Sequence, residues 1–209
     1  MIFIMKILPG IEIINLCLYF SKEKILVLGD VHFGYEETLN KQGVMIPRYQ
    51  FKEVMKKIES IIKNLEIDTI VFNGDIKHEF GTISETEWRQ SIRLLDLLLR
   101  HSKKIIFIKG NHDKILGPIA DKRNVEVVDN FVVGDCYICH GHLIPDDLAY
   151  RSAQTIIIGH EHPAVRINKD GRSETFKCFL KGKSEKKSLI VMPSFNLVTE
   201  RTNVLKDSC

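Results

Sequence analysis

Short apolar runs alternate along this chain with longer stretches in which apolar positions recur every three or four residues. The runs Ile25–Leu28, Thr69–Phe72, Ile105–Ile108, Cys136–Cys139 and Thr155–Ile158 have strand length and little polar interruption. Such runs suit strands covered on both faces of a sheet. Between them, Tyr49–Leu65 places Phe51, Val54, Met55, Ile58, Ile61, Ile62 and Leu65 at helical spacing, and Ser84–His101 does the same with Trp88, Ile92, Leu95, Leu98 and Leu99. Both predict amphipathic helices, the second opened by a capping box of Ser84 and Glu87. The alternation predicts an α/β fold with right-handed crossovers. After His162 the rhythm changes. Ala164–Ile167, Phe176–Leu180 and Leu189–Met192 predict strands without intervening helices, joined through a turn at Asn168–Gly171. An antiparallel tail closing a second sheet is the expectation. The opening stretch, broken by Lys6, Pro9, Gly10 and Glu12, predicts two strands at the edge of the fold.

No Pro/Gly/Ser-rich linker, low-complexity tract or internal repeat divides the 209 residues, so one domain over 1–209 is expected. A hydrophobic content of 44% is enough to bury a core without disulfides. The formal charge of +3 is compatible with an anionic substrate but is too small for a dedicated nucleic-acid binder. Every uninterrupted apolar stretch is far shorter than the roughly 20 residues of a membrane span, and no secretory pattern opens the chain. A cytoplasmic protein with no membrane partner is the expectation. Five cysteines, an odd number, do not make a disulfide framework. Cys136 and Cys139 lie three apart on a predicted strand, where their thiols point to opposite faces. They are expected to be core thiols, not a metal or redox pair. Cys209 is expected on a frayed terminus. The five lysines of Lys177–Lys187 read as a solvated hairpin, with contact to a phosphate backbone as the alternative.

The histidines change the picture. All but His101 fall in or beside five short segments: Asp30-Val31-His32, Gly74-Asp75, Gly110-Asn111-His112-Asp113, His140-Gly141-His142 and Gly159-His160-Glu161-His162. Each segment follows one of the five buried-strand candidates. In open α/β sheets ligands bind beyond the carboxyl ends of strands, so five strand ends bring these groups to one rim. Carboxylates and imidazoles without a thiolate suit borderline divalent ions such as Mn²⁺, Fe²⁺ or Zn²⁺. The paired side chains of D-x-H and H-x-H share one face of an extended segment and can serve neighbouring metals. A carboxylate bridging two cations about 3.5–4 Å apart is the arrangement of dinuclear hydrolases. Gly74, Gly110, Gly141 and Gly159 are expected to relieve crowding beneath such a centre.

The ordered set D-V-H, N-G-D, G-N-H-D, H-G-H and G-H-E-H resembles the calcineurin-like metallophosphoesterase superfamily from about Leu26 to Pro163. The strings D-V-H-F-G-Y-E and N-G-D-I-K-H-E-F-G resemble its small branch related to the repair nuclease SbcD. The resemblance implies a four-layer α/β/β/α sandwich of two mixed β-sheets flanked by helices. It implies two divalent metal ions, Mn²⁺ first, with Zn²⁺, Fe²⁺ or Ni²⁺ as alternatives. Asp30, His32, Asp75 and His162 would hold one ion. Asp75 would bridge to the second, completed by Asn111, His140 and His160. His112 would be the catalytic residue, facing the substrate and protonating the leaving oxygen or stabilising the transition state. A metal-bridging hydroxide would attack phosphorus in line.

Many phosphatases of this superfamily carry a second aspartate, G-D-x-x-D, that orients the catalytic histidine. Here that position is His78, and Glu79 or Asp113 is the expected substitute partner. His78 is either a substrate-facing donor or a residue that orients its neighbours. His142 is expected beside the substrate with Asn111 and His112 or supporting the ligands from behind, Glu161 is expected to be exposed, and Lys77 is expected to be solvated or to meet a substrate phosphate. The substrate implied is a phosphate ester, with a phosphodiester in DNA, RNA or a nucleotide as the first reading. A phosphomonoesterase acting on a small metabolite or protein is the alternative. A non-catalytic binding module with the same fold is the third reading, which the presence of His112 argues against. The stretch after Pro163 is expected to complete the second sheet and to leave no room for a separate DNA-capping domain.

Overall fold

The computed structural model describes residues 4–47, 49–198 and 202–205. Three antiparallel strands open the chain: β1 (Ile4–Leu8), β2 (Ile11–Ile14) and β3 (Cys17–Phe20). The expected pair of edge strands is therefore three, because Asn15, at a φ of 58°, turns the chain within what reads as one apolar run. Then come β4 (Ile25–Leu28), α1 (Tyr35–Lys41), α2 (Gln50–Ile62), β5 (Thr69–Asn73), α3 (Glu85–Leu98) and β6 (Lys104–Ile108). α4 (Gly117–Asp121) and β7 (Glu126–Val128) follow, and the seven strands form one sheet in chain order, with β4 to β7 parallel. Ser84 and Glu87 make the predicted capping box at the start of α3.

The next elements are β8 (Phe131–Val133), β9 (Cys136–Ile138), α5 (Leu148–Ser152) and β10 (Thr155–Ile158). They are followed by β11 (Pro163–Lys169), β12 (Arg172–Lys177), β13 (Leu180–Ser184), β14 (Lys187–Val191) and β15 (Thr202–Asn203). The second sheet runs β13-β14-β10-β9-β8, and β12-β11-β15 form a separate three-stranded sheet. The tail thus departs from expectation. Its last long strand, β14, joins β10 in parallel, and only β13 is antiparallel to it. The expected strand Phe176–Leu180 spans a break instead, with β12 ending at Lys177 and β13 starting at Leu180. The lysine-rich hairpin is exposed at Lys181, Lys183 and Lys186, as expected, while Lys177 and Lys187 are half-buried. Lys177 donates to the carbonyls of Ser194 and Asn196, Lys181 to that of Ile7, and Lys187 to those of Arg151 and Ala153.

Alternation along the strands builds the layers. Val27, Val71, Ile106 and Ile108 face Ile138, Ile157 and Ile190 across the two large sheets. Their neighbours Leu26, Leu28, Ile70, Phe72, Ile105 and Phe107 pack under Val54, Ile58, Leu94, Leu95 and Leu98 of the helices. Tyr137, Cys139 and Ile156, on the outer face of the second sheet, pack with Ala149 and Tyr150 of α5. This is the α/β/β/α order, with the five-residue helix α5 on the outer side of the second sheet among the described residues. Cys136 and Cys139 are buried on opposite faces of their strand, as their spacing predicts. Cys209 lies outside the described residues.

Candidate metal centre

β4, β5 and β6 end side by side, and so do β9 and β10, because each set is parallel and in register. The ladder continues past the strand ends. Asp30 N–H donates to the Gly74 carbonyl at 3.0 Å, His32 N–H to that of Asp75 at 2.9 Å, and Gly159 N–H to that of His140 at 2.9 Å. A bond from His160 N–H to Asp30 Oδ2 at 3.3 Å ties the rims of the two sheets together. Asn196, in the tail, donates to the carbonyl of Val31 at 2.7 Å and clamps the Asp30–His32 loop from the other side. Nothing in the sequence pattern marks Asn196 for this work.

The structure brings the predicted residues into one place. Asp30, His32 and His162 form one group, and Asp75, His140 and His160 a second, each with ligand atoms within 4.8 Å of one another. Asp75 joins them, with Oδ2 at 3.7 Å from His32 Nε2 and 3.2 Å from His140 Nε2. Asn111 Oδ1 lies 3.0 Å from His140 Nε2. A third group, His32, His78 and His112, adjoins the first. His142 stands at the other side, its ring centroid 5.3 Å from that of His140 and 6.2 Å from that of His160. His101, exposed beyond the end of α3, is not part of this gathering.

Local backbone shape departs from the expected extended segments. Asp30, His32, Asp75, His160 and His162 all have left-handed φ, between 46° and 65°. Each such residue costs about 1–3 kcal/mol and persists only where its surroundings enforce it. The curl aims alternate side chains at the centre from a chain that has already left its sheet. Glycine is required next to them by space. A Cβ on Gly110 would sit 2.1 Å from Asp75 Oδ1, and one on Gly74 would sit 2.2 Å from His140 Nδ1.

The donors fit divalent cations. Among the described residues, Asp30 Oδ1, both ring nitrogens of His32 and Nε2 of His162 are buried without a hydrogen-bond partner, a costly state for polar atoms that a cation relieves. Asn73, unremarked in the sequence, accepts from His140 Nδ1 at 3.1 Å through its main-chain carbonyl. That bond leaves Nε2 of His140 as the nitrogen that could meet a cation. Burial pulls His140 down, but its bond to Asp75 and the charges of Asp30 and Asp75 outweigh burial and lift it to about 9. For His32 burial wins over the same carboxylates and lowers it to about 3. His78 falls to about 4 through burial and the neighbouring His112.

Neither expected partner of His112 fills that role. Asp113 is buried and accepts from the N–H groups of Ile76 at 3.1 Å and Gly110 at 3.2 Å. Glu79 accepts from Thr38 Oγ1 at 2.7 Å. Instead His112 Nδ1 is hydrogen-bonded to the main-chain carbonyl of His78. Lys77 is neither solvated nor aimed at a substrate. It is fully buried, with Nζ on the carbonyl of Glu79. Glu161 is exposed, as expected. Buried Glu87 does more than cap α3, because its Oε1 also accepts from the N–H groups of His78 at 2.9 Å and Glu79 at 2.7 Å. The S-x-x-E motif was the one available signal for it.

Among solved structures the chain is similar to the nuclease MPE of Pseudomonas putida, with 16% identity, a TM-score of 0.73, and coverage of 100% of this chain and 94% of that one. It is also similar to the phosphoesterase Yfce of E. coli, with 12% identity, a TM-score of 0.46, and coverage of 83% and 80%. A Vps29 mutant of Entamoeba histolytica matches with 17% identity, a TM-score of 0.37, and coverage of 81% and 73%. The first of these establishes a shared fold. No curated protein matches the chain. The family model for calcineurin-like phosphoesterases matches residues 23–183, a span that takes in every strand end reaching the centre. The chain therefore belongs to the calcineurin-like phosphoesterase family, hydrolases that use divalent metals.

Proposed function

We propose that the chain hydrolyses a phosphodiester, in a nucleic acid or a nucleotide, with two divalent cations held where the two residue groups meet at Asp75. The observation that carries this reading is that one buried carboxylate lies within 4 Å of His32 on one side and His140 on the other. Asp30, His32, Asp75 and His162 would hold one cation. Asn111, His140 and His160 would complete the other, with Asp75 shared. Mn²⁺ is the first choice for such a nitrogen and oxygen set, with Zn²⁺, Fe²⁺ and Ni²⁺ as alternatives. When bound, such a pair polarises phosphoryl oxygens and makes water acidic enough to attack at neutral pH.

The chain's own residues do the rest. The His78 carbonyl accepts from His112 Nδ1–H, so Nε2 is the nitrogen that faces substrate and, when protonated, gives its proton to the leaving oxygen. Asn111, His78 and His142 flank the phosphoryl group as donors. The SbcD-like strings around His32 and His78, and the description of the Pseudomonas putida protein as a nuclease, support a diester over a monoester. Helix cores and inter-sheet core share strands β4 to β6, which supports a single domain over 1–209. Among the described residues no helix is long and apolar enough to cross a membrane, and we take the cytoplasm as the site of action.

The test is a panel of bis(p-nitrophenyl) phosphate, p-nitrophenyl phosphate, single- and double-stranded DNA, RNA and cyclic nucleotides, run with each divalent metal. Diester turnover with Mn²⁺ that stops with chelator is expected. Faster turnover of the monoester would favour the metabolite or protein phosphatase reading. A metal-loaded chain that turns over none of them would make it a binding module.

A further inference from the structure

We propose that the exposed ring of Phe80 is a stacking platform for a nucleobase, which makes single-stranded nucleic acid and its nucleotides the substrate class. This deepens the phosphodiesterase reading above and rests on it for the position of the phosphate.

Four rings follow one another beside the centre. Phe80 lies against His112 with centroids 3.8 Å apart and planes at 33°. His112 stacks on His78 at 5.2 Å and 28°, and His78 meets Tyr35 at 4.2 Å. The row touches the first metal group through His32, whose ring is 4.9 Å from that of His112. His112, the ring that reaches the metal group, is thus the direct neighbour of Phe80, which opens to solvent.

Exposure alone would mean little, since single apolar side chains are common on surfaces. Phe80 is 58% exposed, whereas Phe20, Phe33, Phe72, Phe107 and Phe195 are no more than 3% exposed, so it is not serving the core. The two residues before it are anchored. Glu87 holds the N–H groups of His78 and Glu79, and Thr38 holds the Glu79 carboxylate. A ring set on an anchored segment binds with little ordering cost. A ligand that meets both His112 and Phe80 combines a phosphate ester with a flat π-face close to it. A nucleotide has both, and base–aromatic stacking accepts any base.

The experiment uses the full chain loaded with Mn²⁺. A dinucleotide diester and a dialkyl phosphate diester are compared in the wild type and in Phe80→Leu, Phe80→Ala and Phe80→Trp. Expected is a rise in KM for the dinucleotide relative to the dialkyl diester of about 5- to 150-fold in the Leu and Ala variants, the range stacking supplies, with Phe80→Trp restoring the ratio. Binding of a 2-aminopurine dinucleotide gives a readout independent of turnover. Its fluorescence is quenched by stacking, and the quenching should be lost in Phe80→Leu and kept in Phe80→Trp. An unchanged KM ratio, or quenching equal in the wild type and Phe80→Leu, overturns the proposal. So does a phosphotyrosyl peptide that gains from Phe80 as much as the dinucleotide does. If the wild type hydrolyses no diester the phosphodiesterase reading fails separately, and the quenching still decides the stacking.

Discussion

Nδ1 of His112 is hydrogen-bonded to the main-chain carbonyl of His78. A carbonyl fixes the imidazole tautomer as a carboxylate would, but it brings no negative charge to stabilise an imidazolium. It also cannot be removed by changing the side chain of residue 78. His112→Asn should therefore lower kcat by about 10²- to 10⁴-fold, the range for a lost general acid, with metal content unchanged. His78→Ala, which keeps the carbonyl, should cost clearly less. Steady-state kinetics on a diester reporter, with metal analysis of each variant, checks both. Equal losses in the two variants would contradict the carbonyl's role.

Gly110→Ala should strip the centre while the core survives. The added Cβ would lie 2.1 Å from Asp75 Oδ1 and 2.5 Å from Asp75 N, so the carboxylate shared by both groups must move. Overpacking of this kind costs about 1–3 kcal/mol. Metal analysis should show a clear fall in bound Mn²⁺, and far-ultraviolet circular dichroism should show native secondary structure. Wild-type metal content in the variant would mean that Asp75 does not bridge.

Asp113→Asn tests the loop beneath His112. The carboxylate accepts from the N–H groups of Gly110 and Ile76, and burial pushes it up to about 7, with the Asp75 charge adding to the rise. An amide would set an N–H against one of those donors, at a cost of about 1–3 kcal/mol. For a chain of this size that is a fall in Tm of roughly 2–12 °C. Differential scanning calorimetry on the metal-free chain measures it, and an unchanged Tm would contradict these bonds.

The layers and the gathering of histidines and carboxylates were legible because period and order survive in sequence. Five apolar runs each ended in a polar cluster, and parallel strands leave such ends no choice but to meet. What escaped depends on contacts between distant segments. Asn196 reaches the Val31 carbonyl from 165 residues away, and no local pattern announces it. Lys77 reads as a surface cation but is buried on a carbonyl. The left-handed turns at Asp30, His32, His160 and His162 are invisible to alternation rules, which assume an extended chain. Asn15 hid a turn inside an apolar run for the same reason.

The C-x-x-C pair should behave as core thiols. Burial pushes Cys136 up to about 12 and Cys139 up to about 11, far from the range of reactive thiolates. A thiol reagent such as 5,5′-dithiobis(2-nitrobenzoate) at pH 8 should leave both unmodified in the native chain and label both in guanidinium, as mapped by mass spectrometry. Rapid native labelling of either would indicate a redox or metal role.

Three of the histidines pull the stability of the metal-free chain in opposite directions as the pH changes. His32 and His78 are held near 3 and 4, below the ordinary 6.5. Below pH 6.5 the unfolded chain takes up protons that these buried rings refuse, so their contribution is lost as the pH falls. His140 is held near 9, above 6.5. The folded chain keeps that proton where the unfolded chain has released it, so its contribution is complete below pH 6.5 and is lost as the pH climbs through 9. The net contribution of the three rings therefore peaks near pH 6.5. Melting of the metal-free chain from pH 5 to 9.5 should show the alkaline fall, and His140→Gln should flatten it. A cation that takes His140 Nε2 as a ligand must displace the same proton. Mn²⁺ uptake at pH 7.5 should therefore release protons, seen as a calorimetric enthalpy that changes with the buffer, and affinity should weaken on acidification. Proton-neutral uptake would take His140 out of the ligand set.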